Sequence, residues 1–185
     1  MTIPRELSLI LDGRGYRLLS SPVKELEFLR IGNPVSYTSR EVSGQIPLTP
    51  DSINLSQCEI WLDFSLGNNG IDSMGIMLQN DRQEKFTICF SPVAEKIFVD
   101  RALAGSSEFS KDFSGHATAP YQAGDRLQFQ LFVDASSVEL FVDNGKIVMT
   151  SLVFPTEEFT SLILFSAGGT VALEKAEFFN LKSIW

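Results

Sequence analysis

Residues able to do chemistry are few in this chain, and they are scattered. It has 23 Asp and Glu against 15 Lys and Arg, so carboxylates are the first groups to weigh. Two facing carboxylates can share general acid and base work. The candidate pairs are Asp134 with Glu139 and Glu157 with Glu158. Acidic residues in turns and on solvent faces are expected at this content, so neither pair marks a catalytic centre. Glu139 alternates with Val138 and Leu140, which puts it on the face opposite the core, toward solvent or a partner domain. His116 is the only histidine, and metal sites ordinarily gather several His or Cys, so no metal is assigned. The chain has no Gly-x-Ser-x-Gly elbow to hold a serine nucleophile, and His116 reads as an ordinary loop residue. Asp12-Gly13-Arg14-Gly15 lacks the spaced oxygen ligands of a calcium loop. Cys58 and Cys89 make no disulfide framework and read as buried free thiols, Cys58 in phase with the core positions Ile60, Leu62 and Phe64.

Sugar-binding surfaces use exposed aromatic rings with polar groups beside them. Trp61, Tyr16, Tyr37, Tyr121 and Trp185 are the candidates, Trp61 and Tyr121 being the two retained as substrate-binding residues. Trp61 faces away from Ile60 and Leu62, onto an outer sheet face or an interface. The competing reading is that all five rings pack against strands or a neighbouring domain. A formal charge of −8 disfavours nucleic acid and anionic membrane as partners, which demand a basic face, but permits neutral sugars. No run of about 18 apolar residues is present, so no membrane-spanning helix is expected. The N-terminus lacks a basic region followed by an apolar stretch, and any signal peptide is expected upstream of Met1.

The elements that must position these residues are strands. Leu127 to Phe154 reads LQFQLFVDASSVELFVDNGKIVMTSLVF. Leu127, Phe129, Leu131 and Val133 alternate with other residues, and so do Val138, Leu140 and Val142, a period of two. Asp134-Ala135-Ser136-Ser137 and Asp143-Asn144-Gly145 supply two turns, Asn-Gly being the strongest short hairpin signal. Ile147 to Phe154 makes a third strand, stopped by Pro155. The segment predicts an antiparallel meander with Leu127, Phe129, Leu131, Val138, Leu140 and Val142 buried.

Elsewhere, Ser8 to Asp12 and Arg17 to Ser20 read as short strands around Gly13-Arg14-Gly15. Pro22 to Arg30 predicts one or two helical turns. Ile31 to Pro50 is rich in Gly, Pro, Ser and Thr and predicts loop with one edge strand at most. Leu55 to Phe64, Met74 to Leu78, Lys85 to Phe90 and Lys96 to Asp100 predict strands. Ser106 to Pro120 predicts an extended surface excursion. Thr160 to Ala167 predicts a strand that Gly168-Gly169 turns into Val171 to Leu173, with Phe178 to Trp185 as strand again. About a dozen strands with at most one short helix near residues 22–30 predict an all-β sandwich or jelly roll, one domain over residues 1–185. A chain this long buries roughly 70% of its unfolded surface.

Several of these segments together carry a family resemblance. Asp134 to Phe141, Asp143-Asn144-Gly145, Thr150-Ser151 and Phe154-Pro155 resemble the C-terminal β-sandwich of glycoside hydrolase family 32, the invertases, levanases and inulinases. Met1 to Leu9 (MTIPRELSL) resembles the segment that opens this sandwich, and Leu181 to Trp185 (LKSIW) resembles its usual end. Val99-Asp100-Arg101, with Gly105 and Phe109 after it, resembles the family's Val-Asp-Arg-Ser-x-Ser-Gly segment. Two positions depart: Ala135 stands where the family has Arg, and Ala-Leu-Ala-Gly follows Arg101.

The resemblance implies a two-sheet antiparallel sandwich similar to the legume-lectin and glucanase type. It implies that an N-terminal β-propeller of the same polypeptide holds an Asp nucleophile and a Glu acid/base and hydrolyses fructofuranosyl linkages with retention. The family's catalytic motifs, Trp-Met-Asn-Asp-Pro-Asn, Arg-Asp-Pro and Glu-Cys, do not occur here. Asn80-Asp81-Arg82 lacks the Pro, and Cys58-Glu59 has the reverse order. The chain is therefore expected to hold no catalytic residue and no cofactor, and to serve stability and docking. Alternatives are a fructan-binding module and an oligomerisation module, the latter forming a homodimer. Ile3 and Arg5 are candidate interdomain contacts, with a docking patch expected near the N-terminal segment that includes outward residues such as Trp61 or Phe132. The parent enzyme is expected to be secreted or periplasmic, a cytoplasmic one being the alternative.

Overall fold

The computed structural model describes residues 2–13, 15–67, 70–110, 113 and 115–183. Arg14, Asn68, Asn69 and the candidate Trp185 lie outside the described residues, as do the outermost residues of the MTIPRELSL and LKSIW segments. Twelve strands are present among the described residues: β1 (Arg5–Asp12), β2 (Gly15–Pro22), β3 (Arg30–Pro47), β4 (Cys58–Ser65), β5 (Ser73–Gln79), β6 (Lys85–Ser91), β7 (Lys96–Leu103), β8 (His116–Pro120), β9 (Arg126–Asp134), β10 (Ser137–Val142), β11 (Ile147–Leu152) and β12 (Ser161–Leu181). A 3₁₀ helix, Lys24–Leu29, is the short helix expected after Pro22.

The meander forms as its alternation dictates. β9 pairs with β10 and β10 with β11, all antiparallel. Asp143, Asn144 and Gly145 all take positive φ, the conformation that Asn-Gly tolerates and most residues resist. Leu127, Phe129, Leu131, Val138, Leu140 and Val142 are all buried. Beside them on the same face of the sheet lie Ile60, Leu62 and Phe64 of β4, where the Phe64 and Phe129 rings meet edge to face.

One strand joins the two layers. The first half of β12, Ser161–Ala167, pairs with β5, and its second half, Ala172–Asn180, pairs with β4. The order β11-β10-β9-β4-β12 then continues as β12-β5-β6-β7-β8, all antiparallel, folded over one core as a sandwich. Gly168-Gly169, expected as a turn, lies inside this continuous strand. Register is lost between Ser166 and Val171, Gly168 takes φ +79°, and the chain bends without reversing. A methyl group on Gly168 would sit 2.6 Å from the Asp72 carboxylate.

Two further expectations are corrected. Residues 31–50 are mostly strand rather than loop, because β3 flanks β12 along most of its length. Its exposed edge position tolerates the Gly and Ser content, with positive φ at Gly32 and Gly44 and Val42 as its one fully buried side chain. The Ser106 to Pro120 excursion ends in β8, which adds to β7 and places His116 on a strand. Cys58 is buried in the core. Cys89 is half-buried on the outer side of β6, and both thiols are free. Burial pushes the Cys58 thiol far above its usual range.

Candidate functional site

The outer face of the β12-β4-β9-β10-β11 layer holds the least expected chemistry. Strand register places Phe179, Glu59, Phe132, Glu139 and Thr150 in one row across five strands. Aromatic rings and carboxylates alternate along it. Glu59 and Glu139 are nonetheless buried, at 0% and 2% exposure.

Each carboxylate is neutralised by an arginine from the N-terminal part of the chain. Glu59 receives the Arg30 Nε–H at 2.7 Å and Nη2–H at 2.9 Å. It also receives the Trp61 indole N–H at 2.6 Å and the Gln130 amide at 2.8 Å. The Arg30 guanidinium lies 4.2 Å from the Phe179 ring centre, and the Glu59 hydrogen bond holds its pKa above the ordinary value. Glu139 receives the Ile3 backbone N–H at 2.6 Å and Arg5 Nη2–H at 2.6 Å. Arg5 also reaches the Thr150 hydroxyl at 2.8 Å and covers the Phe141 ring. Their lone pairs thus serve protein donors, so the two carboxylates are anchors for arginine rather than an acid and a base.

These anchors strap residues 3–30 onto the sheet. The strap continues where the Ser20 N–H meets Gly145 O and the Ser21 hydroxyl meets Asn144 O. A side chain at Gly145 would lie 2.3 Å from Ser20 O, so only glycine lets β2 approach that turn. Ile3 and Arg5 therefore contact this sandwich itself. Trp61 is half-buried and Phe132 buried beneath the strap, so neither forms the exposed patch expected of them.

The exposed apolar surface lies on the β1–β2 hairpin instead. Opposed residues of an antiparallel pair share a face. Leu11 opposes Tyr16 and Leu9 opposes Leu18, with Leu7 opposite Ser20. Leu7, Leu9, Leu11, Tyr16 and Leu18 are 63%, 68%, 75%, 81% and 55% exposed, all on one face. The other face turns Ile10, Asp12 and Arg17 toward a polar groove of about 750 Å³, also lined by Glu95, Tyr121, Gln122 and Lys146. Tyr121 itself is buried. Its hydroxyl donates to Asp143, its ring meets Phe90 edge-on, and burial, followed by Asp143, pushes its pKa far up.

The remaining candidates do not converge. Asp134 is exposed and accepts the neighbouring Ala135 N–H, and Glu157 pairs with Arg82. Tyr37 packs edge-on against Phe178. No group of three His, Cys, Asp or Glu that could hold a metal occurs among the described residues. The Val99-Asp100-Arg101 segment has a structural reason for its wording. Gly105 bridges to Phe154 where no Cβ could fit, and Phe109, Phe113 and Phe154 cluster under the Arg101 guanidinium.

The fold and this surface define a two-sheet β-sandwich module with a hairpin strapped to one outer face. The chain belongs to glycoside hydrolase family 32, with residues 25–180 matching the family model described as its C-terminal part. It is 31% identical to a levanase of Bacillus sp. (strain L7), over all of this chain and 20% of that protein. It is 30% identical to a levanase of Bacillus subtilis (strain 168), over all of this chain and 27% of that protein, and 29% identical to a sucrose-6-phosphate hydrolase of Escherichia coli, over 98% and 34%. The chain thus spans between a fifth and about a third of these curated relatives. The crystal structure of exo-inulinase from Aspergillus awamori shares its fold, with a TM-score of 0.87 at 24% identity over all of this chain and 36% of that one.

Proposed function

We propose that residues 1–185 act as a single accessory module of a β-fructofuranosidase-type glycoside hydrolase. In that enzyme a catalytic domain elsewhere in the polypeptide cleaves levan, inulin or sucrose, and this module stabilises it and docks against it. The observation that carries the reading is the coverage: all or nearly all of the chain aligns with only part of each levanase and sucrose-6-phosphate hydrolase it resembles. The arginine-neutralised state of Glu59 and Glu139 supports it from the chemical side. A second reading, fructan binding, is supported by the polar groove beside Tyr121, whose carboxylates, amide and cations suit a neutral polyhydroxylated ligand.

The test is fructose release from levan, inulin and sucrose by the chain alone and by the polypeptide made with its upstream coding sequence. The chain alone is expected to be silent and the longer polypeptide active. Turnover by the chain alone that vanishes in Glu59→Gln or Glu139→Gln overturns the reading.

A further inference from the structure

The β1–β2 hairpin leaves two unmet demands on the same side of the molecule. The first is its apolar face, five large side chains that the sandwich does not cover. The second is its main chain. Antiparallel partners alternate between pairs that exchange hydrogen bonds and pairs whose N–H and C=O groups point outward. The Val23 N–H reaches Pro4 O across the hairpin, and the Ser20 N–H points away from β1 to reach Gly145 O. Ser20 opposes Leu7, so Leu7 belongs to an outward pair, and by alternation so do Leu9 and Leu11. The outer edge of β2 is partly met by the Asn144-Gly145 turn. The outer edge of β1 meets no described strand.

Edges of this kind are ordinarily blunted by Lys, Pro, a bulge or an inward charge. β1 has none of these in its central part: Ser8-Leu9-Ile10-Leu11 is uncharged, and its register with β2 is unbroken from Arg5 to Asp12. Nor is the hairpin free to fold back, because Arg5 and Ile3 hold its base to Glu139. The family match to the C-terminal part begins only at residue 25, which leaves the whole hairpin outside it.

We propose that β1 enters a β-sheet of the upstream catalytic domain of the same polypeptide as an added strand. The outward main chain of Leu7, Leu9 and Leu11 supplies the hydrogen bonds, and the Leu7, Leu9, Leu11, Tyr16 and Leu18 face packs on that domain's apolar layer. The hairpin is then a shared element, held to the sandwich by arginine and to its neighbour by backbone and leucine. This inference rests on the accessory-module reading. The upstream partner is chosen over a second copy because the relatives matching the whole chain are all several times its length.

The experiment compares amide hydrogen exchange in the 185-residue chain with that in the polypeptide carrying its upstream domain, alongside binding in trans of the separately expressed domain. The amides of Leu7, Leu9 and Leu11 are expected to exchange freely in the short chain and at least about 100-fold more slowly in the long one. In trans, Leu9→Pro removes an outward N–H without breaking a bond inside the hairpin, whereas Leu9→Ala only trims the side chain. Leu9→Pro is expected to weaken association about tenfold beyond Leu9→Ala, one charge-neutral hydrogen bond and its unpaired acceptor. Equal association by the two variants, with the three amides unprotected, overturns strand addition and leaves the accessory reading standing. Amides protected in the short chain as a dimer also overturn it, by naming a second copy as the occupant. Absence of any association with the upstream domain defeats both readings.

Discussion

Replacing Arg30 with Met tests whether Glu59 is held as a buried anchor. The carboxylate side chain is 1% exposed, and Arg30 supplies two of the four hydrogen bonds it accepts. Met fills much of the same space against Phe179 but leaves the charge facing only the Trp61 and Gln130 donors. Breaking a buried pair by removing one partner costs about 3–5 kcal/mol, because the remaining charge is desolvated without compensation. For a chain of this size that corresponds to a fall in Tm of roughly 6–20 °C. In Arg30→Met/Glu59→Gln, the Gln carbonyl still accepts from Trp61 and Gln130 while no net charge is buried. The double variant is expected to recover at least about half of the loss, about 2 kcal/mol. Urea unfolding followed by tryptophan emission reads both the stability and the local environment, since the Trp61 indole is itself bonded to Glu59. A loss below about 1 kcal/mol for the single variant, or two substitutions that simply add, refutes the anchor.

Leu140→Ala removes a fully enclosed side chain from the middle of the meander and is expected to cost about 2–5 kcal/mol in the same urea assay; a loss under about 0.5 kcal/mol refutes its inward face. Glu84 gives a pH test. Burial alone would raise its pKa, but hydrogen bonds from the Asn80 amide and from the Thr156 N–H and hydroxyl outweigh it and hold the carboxyl below its ordinary value of 4.5. A lowered folded-state pKa contributes stability that is complete above 4.5 and is lost as the pH falls through the folded value. Melting temperature followed downward from neutral pH is therefore expected to fall less steeply in Glu84→Gln than in the wild type, and identical slopes refute the assignment.

The parts of the fold that were legible in the residues are those where one side of a strand is buried. Leu127 to Val142 alternates because one face of these strands meets the apolar core while the other carries Gln128, Gln130 and Glu139, and the turns that close the meander name themselves through Asp-Ala-Ser-Ser and Asp-Asn-Gly. β3 was not legible, because an edge strand with one fully buried residue has no alternation to display. Gly168-Gly169 reads as a reversal although β12 runs through it, since a bend with positive φ and a reversal demand the same residues. The alternation around Glu139 shows which side of its strand it occupies, yet its partner Arg5 lies 134 positions away, and no spacing rule reaches that far. Glu59 was hidden for the same reason. Leu7, Leu9 and Leu11 of β1 recur with a period of two, and only the structure reveals that their face is turned outward.

The position of β12 also bears on how this chain can be made. β4 and β5 are not neighbours in the sheet until β12 lies between them, and β12 is the last of the twelve described strands to be translated. Until then a nascent chain carries the apolar inner sides of β4 and β5, Ile60, Leu62, Ile76 and Leu78 among them, with no strand to join one layer to the other. Long-range closure of this kind is slow and leaves sticky edges open in the meantime. Residues 161–181 act as a late bolt: a transcript cut short before them yields an open, aggregation-prone half-sandwich rather than a smaller stable one.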